Sequence, residues 1–215
     1  MEANKDIKEQ NTNRSLSDNE SEYFLKKVLR KEILKQRDLL SDSQHNSMSC
    51  EIRRYLQGWM HYKQSDVLLA FASFGSEVDT LTLIKEAIEH GKKVYCPRVF
   101  GDNMLFYKIE GLSDLIPGYR GILEPKDELE VFCPDCFINK KILMLMPGTV
   151  FDLKRNRIGY GKGFYDRFLS QLQFGNACEF ITAGLAFSLQ IIEKVPAKKH
   201  DYQPDYLITE KGIYV

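Results

Sequence analysis

A glycine-rich stretch that combines cations with a carboxylate stands out in the C-terminal half of the chain. Residues 157–166 read RIGYGKGFYD, in which Gly159, Gly161 and Gly163 alternate with tyrosine, lysine and phenylalanine. Glycines allow positive φ angles and close backbone approach, so successive N–H groups can converge on an anion. The next residues, FYDRFLSQL, have helical spacing, and a helix N-terminus adds partial positive charge. The stretch therefore predicts a phosphate site, although it matches neither the Walker A motif nor the Rossmann fingerprint.

Three charged residues accompany these glycines. Arg157 and Lys162 place full positive charges beside the predicted phosphate site, and Asp166 falls in the first turn of the helix that follows. An acid at that position is either a partner of the helix dipole or a metal ligand. The sequence leaves both roles of Asp166 open.

A row of basic residues lies on the first predicted helix. Lys26, Arg30 and Arg37 are four and seven residues apart, so they share a narrow arc of the helix and flank its apolar stripe. Such a row is either a solvated charged face or a set of cations that reaches a polyphosphate held by the domain core.

Two further carboxylates follow or precede predicted strands. Glu77 comes after the apolar run DVLLAFA and begins a helix, at the sheet edge where the glycine stretch is expected. It is either a helix N-terminal acid or a carboxylate that binds a heterocycle with paired N–H donors. Asp201, after His200, could hold Mg²⁺ against phosphate oxygens together with Asp166.

The elements that must position these residues alternate between strand and helix. Helical periodicity covers 22–40, 44–62, 80–90 (ended by Gly91) and the segment after Gly163, with Ser41 and Asp42 able to cap the second helix. Short continuous apolar runs, typical of strands buried on both faces, occur at 66–72, 93–97, 142–147, 180–187 and 205–209. This order predicts an α/β fold with a mostly parallel central sheet flanked by helices, a three-layer sandwich.

The middle of the chain departs from the alternation. Residues 104–109 follow the turn FGDN without an intervening helix, so they read as the second arm of a hairpin with 94–99. Residues 110–141 have few regular patterns, which in a compact domain indicates a functional loop or lid.

Composition limits the class of protein. Hydrophobic residues make up 43% of the 215, which allows a substantial core, and the 30 basic and 30 acidic residues cancel, which argues against nucleic-acid binding. We expect one domain at 22–215 after a disordered polar tail at 1–21. The tail has no apolar run, no stretch nears transmembrane length, and five cysteines are not a disulfide framework, so we expect a cytoplasmic protein without membrane contacts. Cys133 and Cys136 form a CxxC that is either an incidental turn or a metal or redox motif.

Six ordered pieces of the sequence resemble one family. The run MPGTVFDLKRNRIGYGKGFYDRFL closely resembles the signature of 5-formyltetrahydrofolate cyclo-ligases, also called 5,10-methenyltetrahydrofolate synthetases. KKVLRKE, SEVDT, CPRV, GILEP and HDYQPDYLITE match in the family's order, and the resemblance covers about residues 22 to 210.

The resemblance implies both an activity and a set of site residues. The activity is conversion of 5-formyltetrahydrofolate, possibly polyglutamylated, to 5,10-methenyltetrahydrofolate, with Mg²⁺ and with ATP as co-substrate, by a monomer. The implied ATP contacts are Lys26, Arg30, Arg157, Gly159, Gly161, Lys162, Gly163 and Tyr165. The implied folate contacts are Ala72, Glu77, Tyr160, Gly161, Lys162, Gly163 and Phe164. Lys162, Arg157 and Tyr160 are assigned to catalysis as positioning and electrostatic groups, and Asp166 and Asp201 to Mg²⁺.

One position departs from the family pattern. Arg155 stands where the family has a glycine in FDxxGxR, and we expect Asn156 to take the positive φ instead, because asparagine tolerates that region.

Two rival functions remain open at this point. One is another enzyme with a phosphate loop on a similar fold, such as a sugar-phosphate isomerase or a CoA transferase relative. The other is a folate-binding or nucleotide-sensing protein without turnover, for which Arg155 is the only sequence feature. Separate titrations with ATP and with 5-formyltetrahydrofolate distinguish them.

Overall fold

A computed structural model describes residues 18–172, 178–198 and 201–215 of the chain. Its α-helices are α1 (Asp18–Asp38), α2 (Asp42–Gly58), α3 (Met60–Gln64), α4 (Leu81–Glu89) and α5 (Phe164–Gln171). Its strands are β1 (Val67–Leu69), β2 (Lys93–Phe100), β3 (Asn103–Ile109), β4 (Leu115–Pro117), β5 (Leu123–Pro125), β6 (Lys141–Met146), β7 (Val150–Asp152), β8 (Arg157–Ile158), β9 (Glu179–Leu185), β10 (Ile191–Ile192), β11 (Tyr206–Thr209) and β12 (Gly212–Tyr214). Across this part of the chain, no helix has the length and apolar character needed to cross a membrane.

The central sheet has seven strands in the order β12-β11-β9-β6-β1-β2-β3. The five inner strands, from β11 to β2, are mutually parallel, and only the two edge strands run antiparallel to their neighbours. The predicted mostly parallel sheet is therefore confirmed. The predicted hairpin is also confirmed, since β2 and β3 pair from Val94–Ile109 to Phe100–Asn103.

Alternate residues of the inner strands pack into two separate cores. Leu68 and Leu143 face the core that also holds Ile52 and Leu56 of α2 and Ile84 of α4. The other faces of the same strands pack against α5, in a cluster that includes Val67, Leu69, Ile142, Met144, Phe168 and Leu169. Helices thus cover both faces of the sheet, which confirms the three-layer α/β sandwich.

Two predicted helix boundaries are wrong. The helix α1 begins at Asp18, so the predicted tail 1–21 overlaps it; the rest of that tail, residues 1–17, lies outside the described residues. The predicted helix 44–62 is instead two helices that are separated at Trp59, whose backbone is extended. The Trp59 ring packs edge-on against His61 and Tyr206, and these contacts favour the interruption. Ser41 caps α2 as expected, in a capping box with Gln44.

The irregular segment 110–141 contains its own small sheet. Strands β4 and β5 pair antiparallel within it, so it is less irregular than the sequence indicated. Cys133 immediately precedes a single 3-10 turn, Pro134–Phe137, Cys136 lies within it, and both are exposed free thiols. The turn expected for the CxxC is therefore present.

Candidate functional site

The glycine loop lies beyond the carboxyl end of β6, at the sheet edge predicted for ligand binding. The hairpin of β7 and β8 follows β6 and leads directly into the loop Gly159–Gly163, after which α5 begins. Gly163 is the N-cap of α5 with φ +64°, and Gly161 has φ +94°. A Cβ on Gly161 would also lie 3.4 Å from Arg30 Nη2, so glycine allows α1 to approach the loop. The predicted positive φ angles are confirmed at these two glycines.

The basic row of α1 faces the loop rather than solvent. Arg30 Nε donates to the Gly159 carbonyl oxygen at 2.8 Å, and burial lowers the pKa of Arg30. Lys26 Nζ lies 2.5 Å from Asp201 Oδ2 and 3.2 Å from Glu22 Oε1. Arg37 is buried, with 3% of its surface exposed. The interpretation of this row as a solvated face is wrong, because all three cations contact groups from the chain.

Glu77 joins the loop from the carboxyl end of β1. Its Oε1 accepts a hydrogen bond from the Tyr160 hydroxyl at 2.8 Å, and its Oε2 accepts from the Phe74 N–H at 3.0 Å. Glu77 is 7% exposed, and burial raises its pKa against the opposing effects of these two hydrogen bonds and of Arg37. Burial and the nearby Glu77 charge raise the pKa of Tyr160 to about 12, so its hydroxyl keeps its proton.

Arg157 forms a buried ion pair across the start of α5. Its Nη2 lies 2.8 Å from Asp166 Oδ1, which also accepts from the Tyr202 N–H at 2.9 Å. The guanidinium lies 5.8 Å from the centre of the Tyr165 ring. Arg157 Nε and the Tyr165 hydroxyl are buried, and neither has a hydrogen-bond partner among the residues described. Two buried donors at the site are therefore available for a ligand.

The two acids predicted to hold a metal are close to one another. Asp201 Oδ2 accepts from Lys26 and from the Lys198 N–H, and the backbone of the next residue, Tyr202, donates to Asp166. His200, which precedes Asp201 in the sequence, lies outside the described residues. Within residues 18–172, 178–198 and 201–215, no three His, Cys, Asp or Glu side chains form a group that could hold a metal by themselves. Two carboxylates nevertheless suit Mg²⁺, which usually takes one or two from a protein and completes its shell with phosphates and water.

The remaining predicted residues surround this centre. Lys162 is exposed on the loop, and Ala72 is buried where the chain leaves β1. Phe164 is half-buried, and its ring centre lies 6.2 Å from that of Tyr119, in the segment that follows β4. The Tyr165 ring packs against the core between α5 and the sheet, where its centre lies 6.4 Å from that of Phe106.

The expectation for Asn156 is wrong. Arg155 itself takes the positive φ, +68°, while Asn156 uses its backbone N–H and its side-chain amide to bond both oxygens of Asp152. These bonds hold Asn156 in the hairpin, so the turn falls on the preceding residue. Arg155 Nε donates to the Pro204 carbonyl oxygen at 3.1 Å, which anchors its side chain away from the loop.

Two contacts of the loop were missed from the sequence. Arg167 Nη1 donates to the Lys162 carbonyl oxygen at 2.7 Å, and its Nη2 and Nε bond the carbonyl oxygen of Asp102. Arg37 Nη2 donates to the Tyr160 hydroxyl at 2.9 Å. The position of Arg167, one helical turn after Gly163, could have indicated the first contact; no local pattern indicates the second.

Comparisons with known proteins agree on one family. Residues 24–210 match the model of the 5-formyltetrahydrofolate cyclo-ligase family. The chain is 29% identical over 198 residues to a probable 5-formyltetrahydrofolate cyclo-ligase of Schizosaccharomyces pombe, covering 88% of this chain and 95% of that protein. It is 26% identical over 185 residues to the 5-formyltetrahydrofolate cyclo-ligase of Escherichia coli K12, covering 85% and 98%. The fold is similar to the NMR structure of Aquifex aeolicus 5,10-methenyltetrahydrofolate synthetase, with a TM-score of 0.76, 30% identity and coverage of 88% and 92%.

Proposed function

The chain belongs to the 5-formyltetrahydrofolate cyclo-ligase family, and from this premise we propose that it converts 5-formyltetrahydrofolate to 5,10-methenyltetrahydrofolate with ATP as co-substrate. One observation supports this activity independently of family membership. The five-residue loop Gly159–Gly163 contacts both a cation from α1 and a buried carboxylate. Arg30 bonds its first residue, Gly159, and Glu77 bonds its second, Tyr160. A polyphosphate and a heterocycle bound to this loop would lie side by side.

The reaction explains why the two ligands must be neighbours. The oxygen of the formyl group that N5 carries is a poor leaving group. The γ-phosphoryl group of ATP is therefore first transferred to this oxygen, and ADP is released. N10 then attacks the formyl carbon, the C–O bond breaks, phosphate leaves with its electron pair, and N10 loses its proton. Catalysis of such a transfer rests on positioning and on electrostatic stabilisation, so no side-chain nucleophile is required.

The α1 side of the loop would bind ATP. In this assignment Lys26, Arg30 and Arg157 neutralise phosphate charge, and the N–H groups of the loop glycines bond phosphate oxygens. Lys162 would reach the phosphoryl group in transit, because it is exposed on the loop between the two ligands. Arg157 Nε and the Tyr165 hydroxyl support the assignment, since both are buried donors without a described partner.

The β1 side of the loop would bind the folate. The Glu77 carboxylate would accept from paired N–H donors of the pterin, and the rings of Tyr160 and Phe164 would pack against its flat surface. Ala72 is 4% exposed beside them and is small enough to leave room for the ring. Gly161, Lys162 and Gly163 would contact both ligands.

Asp166 and Asp201 would hold Mg²⁺ beside the phosphates. The ion would supply neutralisation of the charge that develops on the phosphoryl oxygens. Lys26 bonds one oxygen of Asp201, and Arg157 bonds one oxygen of Asp166. When the ligands bind, each cation would either share its carboxylate with Mg²⁺ or move to the phosphates.

We also propose a cytoplasmic monomer that accepts polyglutamylated folate. The five cysteines are free, which suits a reducing compartment.

The test is a spectroscopic assay of turnover. Purified protein is mixed with 5-formyltetrahydrofolate, ATP and Mg²⁺, and the near-ultraviolet absorbance of the methenyl product is followed. We expect the band to grow only when ATP and Mg²⁺ are both present. The Lys162→Ala variant should lose this growth, while Lys63→Ala, at an exposed lysine on α3, should keep it. A folded protein that binds 5-formyltetrahydrofolate but never produces the band would refute the proposal and favour a binding protein.

A further inference from the structure

Arg37 is a buried cation at the folate end of the site that none of the roles above uses. Only 3% of its surface is exposed. We propose that Arg37 is a positioning residue for folate binding: it locks the Tyr160 hydroxyl and the turn before Glu77 together, and so aims an ionised Glu77 at the pterin. The inference rests on the proposed function, because it concerns the same site.

Arg37 connects three segments that are distant in the sequence. From α1 its Nη2 donates to the Tyr160 hydroxyl of the glycine loop at 2.9 Å. Its Nε donates to Ser76 Oγ at 3.0 Å, in the turn that precedes Glu77. Ser76 Oγ in turn donates to Asp38, which lies next to Arg37 on α1. The guanidinium is planar and presents its donors in a fixed fork, so one rigid group fixes the spacing between the loop and the turn.

The direction of the hydrogen bonds follows from the donor inventory. Arginine can only donate, and a tyrosine hydroxyl has a single proton. When Tyr160 accepts from Arg37, its proton is left for Glu77 Oε1, which lies 2.8 Å away. Glu77 Oε2 receives the Phe74 N–H, so each carboxylate oxygen has one bond from the chain and keeps lone pairs for a ligand. Arg37 thereby holds Glu77 as an acceptor for the pterin N–H groups.

The same contacts set the charge state of Glu77. Burial raises the pKa of Glu77, and the Phe74 N–H, the Tyr160 hydroxyl and the Arg37 charge oppose that rise. The other charged or titratable groups that face this region are Asp38 on α1, His45 on α2, whose Nε2 lies 2.6 Å from the Glu77 carbonyl oxygen, and Tyr165 on α5. Among the described groups, Arg37 is the cation that hydrogen bonds link to the carboxylate, through the Tyr160 hydroxyl. Its removal should therefore raise the pKa of Glu77 further, so that more acid is protonated at a given pH.

The experiment compares Arg37→Met and Arg37→Lys with Arg54→Met, at an arginine on α2 whose side chain is 62% exposed. For each protein, kcat/KM is measured for 5-formyltetrahydrofolate and for ATP across a pH series, together with the melting temperature. For Arg37→Met we expect KM for the folate to rise at least ~10-fold, which is the effect of losing one hydrogen bond from a charged donor. KM for ATP should stay within about twofold, because Arg37 lies at the folate end of the site. The acidic limb of kcat/KM for the folate, which reports the free enzyme, should move to higher pH.

The two further variants separate positioning from structural support. Arg37→Lys keeps the cation and should return the acidic limb toward its wild-type position, and Arg54→Met should change neither limb nor KM. If Arg37→Met does not fold, Ser76→Ala, which removes the Arg37 contact with the turn but no bond to the Glu77 carboxylate, should give a smaller folate-specific KM rise with KM for ATP unchanged, and an unchanged KM for the folate would count against the inference. An unmoved acidic limb, or an equal rise in both KM values that Arg37→Lys does not relieve, would overturn the inference. A wild-type protein without turnover would instead overturn the proposed function.

Discussion

Replacement of Asp166 by alanine tests the ion pair that holds Arg157 in the site. The Arg157 side chain is 5% exposed and that of Asp166 26%, with 2.8 Å between Nη2 and Oδ1. Because Arg157 Nε has no described hydrogen-bond partner, this carboxylate is the main compensation for the buried charge. Without Asp166, the guanidinium must stay buried and uncompensated or turn out toward water.

The cost can be estimated from the geometry. Loss of one partner from a buried pair costs about 3–5 kcal/mol. Since about a quarter of the Asp166 side chain is exposed, water can enter beside Arg157, and we expect the lower limit, about 3 kcal/mol. Asp166→Asn keeps an oxygen that can accept from Arg157 and from the Tyr202 N–H but removes the charge. Since charge-assisted bonds are roughly twice as strong as neutral ones, asparagine should cost about half as much, ~1.5 kcal/mol.

The assay is urea denaturation without ligands, from which the free energy of unfolding is extrapolated. Asp127→Ala is the matched control, because its side chain is 69% exposed and lies 3.9 Å from Arg98, so we expect a loss below ~1 kcal/mol. Equal losses for Asp166→Ala and Asp127→Ala would refute the reasoning. The pair would then contribute nothing to stability, and Asp166 would have to be explained by ligand binding alone.

Three further predictions concern the loop and its neighbours. Lys162→Ala should lower kcat at least ~100-fold in the methenyl assay, as for loss of one preorganised electrostatic donor, and near-normal turnover would remove its catalytic role. Arg155→Gly should relieve about 1 kcal/mol of strain from the left-handed conformation, but the greater flexibility of glycine in the unfolded chain largely offsets this gain. Urea denaturation should therefore show a change within ~1 kcal/mol in the free energy of unfolding, and a large loss of turnover would contradict a purely local role of this turn. Glu77→Gln should weaken folate binding without weakening ATP binding, as measured by separate titrations, and equal losses would indicate misfolding. Because burial raises the pKa of Glu77 in the folded state, its contribution to stability is present in acid and is lost as pH rises through that pKa. The stability of Glu77→Gln relative to wild type should therefore increase from acidic to neutral pH, and a constant difference in melting temperature would contradict the sign.

The parts of the fold that could be predicted are those set by local patterns. The apolar runs at β1 and β6 are buried on both faces, and this pattern predicted parallel strands with helices on each side. The glycine spacing and the helical stripe after it likewise predicted the loop and α5. The break at Trp59 was missed although Gly58, the last residue of α2, is a local signal for a helix end; the packing of the Trp59 ring on Tyr206, which is distant in the sequence, could not be predicted.

That the candidate site residues lie near one another could be predicted from the sequence, but the hydrogen bonds between them could not. The sequence placed Lys26, Arg30 and Arg37 on one arc, yet their different partners lie in three loops, after β1, after β8 and before β11, that come together only in the folded chain. The turn at Arg155 shows the same limit at short range. Asparagine is the better residue for positive φ, but here its amide bonds Asp152, and that contact decides which residue takes the left-handed conformation.

The long sequence separation between the α1 cations and their partners has a consequence for the order of folding. Arg30 contacts Gly159 across 129 residues, and Lys26 contacts Asp201 across 175. Closing such spans costs chain entropy before any contact is gained, so these links should form late, after the local helices and the β2–β3 hairpin. During synthesis, α1 would leave the ribosome long before the segments that neutralise and cover its cations. A chain that stops before Asp201 would contain α1 and the glycine loop but lack the carboxylate that pairs with Lys26, so this ion pair would be among the last contacts of the candidate site to form.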